Sequence, residues 1–177
     1  MSFAKDILEA VDGETDLVGR VIERWAQERP DVDVSAIGVI GRVHGIAEWL
    51  TEQRAMLYAD YALGPGEFDV MAALLRAGEP YEMSPSAIAD WTVVSSGAVT
   101  KRVDRCIEQG WVTRRVGQAD GRSRVVALTP EGKELIEVVW RASVNRVGEL
   151  LHGLEGHERD QLASLLEKWG RSLGVEA

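Results

Sequence analysis

The order of signals between Ser84 and Leu128 constrains this chain more than any other feature. Ser84-Pro85 is a helix N-cap followed by proline at the first helical position, where a missing N–H costs nothing. Ile88 and Trp91 give that short helix an apolar side, and Thr92-Val93-Val94 leaves room only for a tight connection. Ser95 caps a second helix running to about Gln109, with Gly110 as its stop. Two strand-like runs follow, Trp111 to Val116 and Arg122 to Leu128, around the turn-forming Gly117-Gln118-Ala119-Asp120-Gly121. Such short elements cannot bury apolar surface singly. The second helix must pack one face on the first, and the hairpin must close its flank.

That order describes a winged helix-turn-helix, whose second helix enters the major groove of DNA. At about 100° per residue, Val103, Cys106 and Ile107 share the inward face of Val99. Gly97, Lys101 and Asp104 point away, with Arg105 beside them, and Gly97 lets the backbone approach the groove closely. The helix N-terminus turns Ser95, Ser96 and free backbone N–H groups toward phosphate. Arg122, at the hairpin tip with Asp120 two residues earlier, suits the negative potential of a narrow minor groove. The expected DNA-binding set is Ser95, Ser96, Gly97, Thr100, Lys101 and Arg105 from the helix, with Arg115, Asp120, Arg122 and Arg124 from the hairpin.

The flanks read as helices. Thr15 or Asp16 caps one to about Gln27, with Leu17, Val18, Val21, Ile22 and Trp25 on one side. Pro30 breaks it, and a long helix spans roughly Val34 to Tyr61, where Gly38, Gly41 and Gly45 permit close packing. Another begins at Gly64-Pro65 and ends at Ala77-Gly78-Glu79-Pro80; Thr129-Pro130-Glu131 starts the next; a last helix carries Leu162, Leu165, Leu166, Trp169 and Leu173. The six tryptophans fall mostly at apolar helical positions and read as core. The expected fold is mainly α with a small β-hairpin wing. Its parts are N-terminal helices at 1–62, a winged helix-turn-helix lobe at 63–128, and C-terminal helices at 129–177 that pair with the N-terminal ones in a homodimer.

The net charge of −9 argues at first against nucleic acid. Its distribution reverses that argument: residues 95–124 carry seven basic and three acidic side chains, a local +4 on a remainder of −13. The single cysteine, Cys106, cannot form an intrachain disulfide, no apolar run approaches membrane-spanning length, and the first ten residues lack a signal core, so a cytoplasmic location is expected. Cys106 lies on the inward stripe and reads as packing. His44, His152 and His157 have no metal-ligand spacing; His44, in the long helix, reads as an ordinary partly buried histidine. No cofactor, metal or catalytic constellation is expected, and therefore no enzyme. The alternative is a winged helix that contacts only protein.

From Leu63 to Leu135 the chain resembles the MarR family of bacterial regulators. The matching segments are Gly-Pro-Gly-Glu-Phe-Asp-Val-Met (64–71), Gly-Glu-Pro (78–80), Ser-Ser-Gly-Ala-Val-Thr-Lys-Arg-Val-Asp-Arg (95–105), Glu-Gln-Gly-Trp-Val-Thr-Arg-Arg (108–115), Asp-Gly-Arg-Ser (120–123) and Leu-Thr-Pro-Glu-Gly (128–132). Trp111 stands where the family usually has leucine. The resemblance implies a dimeric transcription factor, most simply a repressor, on a pseudo-palindromic operator. The chain further resembles the urate-responsive members, which have an extra N-terminal helix with a tryptophan, an aspartate after the long helix, and arginines in the recognition helix and first wing strand. That resemblance implies a small anionic effector such as urate held by Trp25, Asp69, Arg102 and Arg114.

Overall fold

The computed structural model describes residues 15–92, 96–116 and 124–175. The chain divides between Pro65 and Gly66 into two compact units.

The first unit holds α1 (Leu17–Glu28) and α2 (Ile37–Ala59). Asp16 begins α1 as its N-cap, accepting from the Gly19 backbone N–H at 2.8 Å. The same carboxylate receives the Arg42 guanidinium of α2 in a two-pronged pair, Nε at 2.8 Å and Nη2 at 2.7 Å. One side chain therefore ends one helix and ties it to the next. Gly41 lets the two approach: a Cβ there would stand 3.1 Å from the methyls of Val18, which is buried. The Asp16 carboxyl is held below its ordinary range by Arg42 and then by the Gly19 N–H.

The second unit starts in α3 (Pro65–Arg76) and continues through β1 (Glu82–Met83), α4 (Pro85–Asp90), α5 (Ser96–Glu108), β2 (Val112–Val116), β3 (Arg124–Leu128), α6 (Pro130–Leu150) and α7 (Gly156–Ser172). Ser84 caps α4 and Thr129 caps α6, accepting from Ala87 N and Gly132 N. Gly110 closes α5 at φ +76°, the left-handed conformation that glycine alone adopts without strain. The core is one cluster with no exposed surface: Val70, Met71 and Leu74 of α3, Ile88 of α4, Val99, Val103 and Cys106 of α5, Val126 of β3, and Ile136 and Val139 of α6.

Two expectations change. The hairpin is part of a three-stranded antiparallel sheet in the order β1-β3-β2, because Glu82 and Met83 pair with Ala127 and Val126. A two-residue strand has no alternation to detect. The tryptophans are not core: Trp25, Trp91 and Trp140 are about half exposed, and none of the six is buried. Trp25 and Trp140 belong to helix faces that this single chain leaves uncovered, together with Ile40, Ile46 and Met56 on α2 and Val144, Val147, Leu162, Leu165 and Leu166 on α6 and α7. Among the described residues no helix is long and apolar enough to cross a membrane.

The start of α6 locks onto the root of the wing. Thr129 N donates to the Trp111 carbonyl at 3.0 Å, and Thr129 Oγ1 donates to the Gly110 carbonyl at 2.9 Å. A Cβ on Gly132 would fall 1.9 Å from the Trp111 carbonyl oxygen, a backbone atom that cannot swing aside. Gly132→Ala should therefore lower unfolding stability by about 1–3 kcal/mol in denaturant titration, despite alanine's better helix propensity.

The Asp16 pair gives an acid-dependent prediction. A carboxylate whose folded pKa is depressed contributes stability above its unfolded value, about 3.9, and loses it as pH falls through the folded value. Asp16→Asn keeps a capping oxygen and forfeits the Arg42 pair, which should cost up to about 1 kcal/mol at pH 7. The gap in melting temperature between the two proteins should close as pH drops below about 4.

Candidate nucleic-acid interface

Helix α5 presents two chemically opposite sides. Val99, Val103 and Cys106 have no exposure, while Gly97, Thr100, Lys101 and Arg105 are exposed. The inward stripe is the one that the 100° spacing predicts. Nothing lies within 4 Å of where a Cβ on Gly97 would stand, so the outer side of the first turn is open. Burial pushes the Cys106 thiol up to about 12, with the Glu67 carboxylate adding to the effect; the group stays protonated at neutral pH and packs as an apolar atom.

Ion pairs hold this helix on both flanks. Toward α3, Arg102 Nη1 donates to Asp69 Oδ2 at 3.2 Å and Arg105 Nη1 to Glu67 Oε1 at 3.2 Å. Toward the wing, Arg114 Nη2 of β2 lies 2.8 Å from Asp104 Oδ1. Arg115 pairs with Glu82, fastening β2 to the residue that opens β1. The Arg102 stem crosses the first turn of α3 so closely that a Cβ on Gly66 would meet its Nε at 2.6 Å. A side chain at Gly66 would therefore displace Arg102 from its present course. Among the described residues, the buried Nε of Arg114 has no hydrogen-bond partner.

These pairs change the electrostatic picture. Four of the seven cations in the basic window, Arg102, Arg105, Arg114 and Arg115, are matched to carboxylates. Lys101 and Arg124 are exposed and carry no ion pair to another described residue. The free positive field is smaller than the sequence count implies, and each paired guanidinium is oriented. Sequence reasoning missed Glu67, Glu82, Asp104 and Gly66 as members of the site. Their partners lie up to 38 residues away along the chain, a separation at which no periodicity links them.

The structure joins Asp69 to Arg102, two of the four residues expected around an effector, and gives Arg114 to Asp104 instead. Trp25 stands half exposed on α1 in the first unit. Among the expected DNA contacts, Ser95, Asp120 and Arg122 lie outside the described residues, and Ser96 is described as the first residue of α5. No group of three or more His, Cys, Asp or Glu side chains among the described residues could hold a metal ion.

Comparison with known proteins places this arrangement. A family model described as the MarR family matches residues 63–123. The HTH-type transcriptional regulator PecS of Dickeya dadantii is 33% identical over 149 residues, spanning 84% of this chain and 90% of PecS. Among solved structures, a mutant MarR from E. coli complexed with operator DNA is similar at TM-score 0.67 and 23% identity, over 77% of this chain and 98% of that one. BpsR of Bordetella bronchiseptica, whose DNA binding is regulated by 6-hydroxynicotinic acid, is similar at TM-score 0.59 and 21% identity, over 73% and 98%. The two structural likenesses establish the fold; the relationship to PecS and the family match establish descent. The chain belongs to the MarR family of winged helix-turn-helix transcriptional regulators, proteins that bind DNA and are not enzymes.

Proposed function

We propose that this regulator is a homodimeric repressor that grips a pseudo-palindromic operator and lets go when a small planar anion binds. One observation carries the reading of the interface: α5 is fixed by a fully buried stripe and by ion pairs to α3 and the wing, while Gly97, Thr100 and Lys101 stay exposed on its outer side. A helix held so firmly can place base-reading side chains within the tolerance that hydrogen bonding demands. Ser95 and Ser96 bring the helix N-terminus to phosphate, Arg115 and Arg124 extend the contact along the wing, and Asp120 and Arg122 form its tip in the minor groove. In this reading 63–128 is the DNA-binding lobe, and 1–62 with 129–177 form the dimer.

The dimer is supported by the apolar side chains left exposed on α2, α6 and α7, more than a soluble chain leaves open without a partner. A second copy would cover them by twofold symmetry and set two copies of α5 about one DNA turn apart. Light scattering at micromolar concentration should give twice the chain mass; a monomer would remove this part of the reading.

Within the interface, a free cation and an open glycine should behave differently. Lys101→Ala should weaken operator binding and reduce the slope of log K against log salt by about 1 per lost phosphate contact, as measured by anisotropy at several salt concentrations. Gly97→Ala should fold with equal or slightly greater stability, since its Cβ meets nothing, and still lose operator affinity through the close backbone approach. Wild-type affinity in both would place the DNA elsewhere.

The effector site is drawn from Trp25, Asp69, Arg102 and Arg114. Arg102 is half-buried and already donates to a carboxylate, Asp69, so a competing anion such as urate is chemically matched to it. The buried Nε of Arg114, which has no acceptor among the described residues, adds a donor to the set. An anion that takes Arg102 from Asp69 prefers one position of α5 over another, and only that difference in affinity can shift DNA binding. Urate should release the operator and quench tryptophan fluorescence, whereas Trp25→Phe should keep DNA binding and blunt the response, and Asp69→Asn, which also removes one tie of α5, should blunt it relative to that variant's own operator affinity. A wild-type response in both variants would discard this pocket and leave the DNA-binding assignment standing.

A further inference from the structure

Glu67 is a buried carboxylate beside the reading helix. It sits in the first turn of α3, and its side chain is 9% exposed. A carboxylate withdrawn from water has to be met by a cation or by hydrogen bonds. The cation it meets is Arg105, whose own side chain is 61% exposed. The pair is therefore lopsided: one end is anchored in the protein and the other stands in solvent on the reading side of α5. The anchored end is one of two buried polar or charged residues among those described, and its contact reaches α5 itself through Arg105.

Arginine has five N–H donors in a rigid fork, and one bond, from Nη1 to Glu67 Oε1, engages it here. That bond restrains the guanidinium and leaves its other donors for an outside acceptor. Its side chain has already lost the rotamer freedom that a free lysine such as Lys101 would surrender on contact. A free cation follows the nearest phosphate; a clamped fork selects an acceptor pair with the right spacing and orientation, such as guanine O6 and N7 in the major groove.

We propose that Glu67 is a positioning residue for sequence readout: it holds Arg105 so that the outward edge of the guanidinium addresses a base, and it thereby sets operator specificity without touching DNA. This rests on the reading of α5 as the recognition helix. The carboxylate also weakens Arg105 as a plain phosphate-binding cation, which shifts the residue from general affinity to discrimination.

The test uses the full chain and two probes: the tightest duplex selected from a random-sequence library, and poly(dI-dC). Affinity for each is measured by anisotropy at one salt concentration, and their ratio is the readout. Glu67→Gln keeps the shape of the side chain and removes its charge; Glu67→Asp keeps the charge and withdraws it by one methylene. Both should lower the ratio about tenfold, the discrimination of one well-placed bidentate base contact. In an Arg105→Ala background, Glu67→Gln should lower it no further. A wild-type ratio in Glu67→Asp would overturn the proposal, and this variant decides the matter if Glu67→Gln does not fold. A parallel fall in both affinities would likewise overturn it, because it marks a purely structural role. If Arg105→Ala alone leaves the ratio unchanged, Arg105 is not a reading residue, and the interface reading of that side chain falls together with the proposal.

Discussion

Helix α5 has thirteen residues in which to satisfy two opposing solvents, and the second unit is organised around that demand. Its inner stripe gives up all exposure to the core, while its outer side has to remain polar, open and in register with a DNA groove. Burial fixes the helix axis and its rotation, because turning it by one residue would carry Thr100 and Asp104 to the inward side in one sense, and Ala98 and Arg102 in the other. Burial does not fix small slides along the axis, which change apolar contact little. The ion pairs at either flank act on that remaining freedom: Asp69 and Glu67 from α3, Arg114 from β2. Partly exposed pairs add little stability, commonly less than about 1 kcal/mol each. Their value here is directional, since each works at a fixed separation and several together define a position.

The same pairs govern how this family member handles charge. A recognition surface made of free cations would bind any duplex tightly and would repel itself when DNA is absent. Matching Arg102, Arg105, Arg114 and Arg115 with carboxylates lowers the self-repulsion and, among the described residues of the window, leaves Lys101 and Arg124 without an ion pair. On a chain of net charge −9 the attraction to phosphate is then local, and a duplex that approaches any other face meets repulsion. Orientation is chosen by what the rest of the surface refuses as much as by what α5 attracts.

The sequence made the local grammar of the fold legible and concealed its long-range chemistry. Asp16, Ser84 and Thr129 are caps because their side-chain oxygens meet an N–H three residues on, a relation written in adjacent residues. The apolar stripe of α5 follows from helical spacing alone. Strand β1 escaped notice because Glu82 and Met83 become a strand only through β3, more than forty positions later. Nothing local marks Glu67 or Gly66 as part of the interface, because the side chains that meet them, Arg105 and Arg102, lie more than thirty positions on. The tryptophans misled for a different reason. Helical spacing shows that Trp25 and Trp140 share apolar faces, but it cannot say whether this chain or another molecule covers those faces.

Helix α7 carries that last point furthest. It has seventeen residues, and none is buried in the single chain. Its local supports are the bond from Glu155 N to Glu158 Oε2 at its start and the Arg171–Glu167 pair near its end, contributions of a few tenths of a kcal/mol to about 1 kcal/mol each. A helix of this length is marginal in water on such terms, and exposed Leu162, Leu165 and Leu166 give it no reason to stay dissociated. In the proposed dimer those leucines would find apolar cover, so that the folding of α7 and the pairing of two DNA-binding lobes become one event. Operator binding then inherits the concentration dependence of the dimer. An effector that alters the spacing of the lobes acts on both half-sites together, so a modest structural change is felt twice in the affinity.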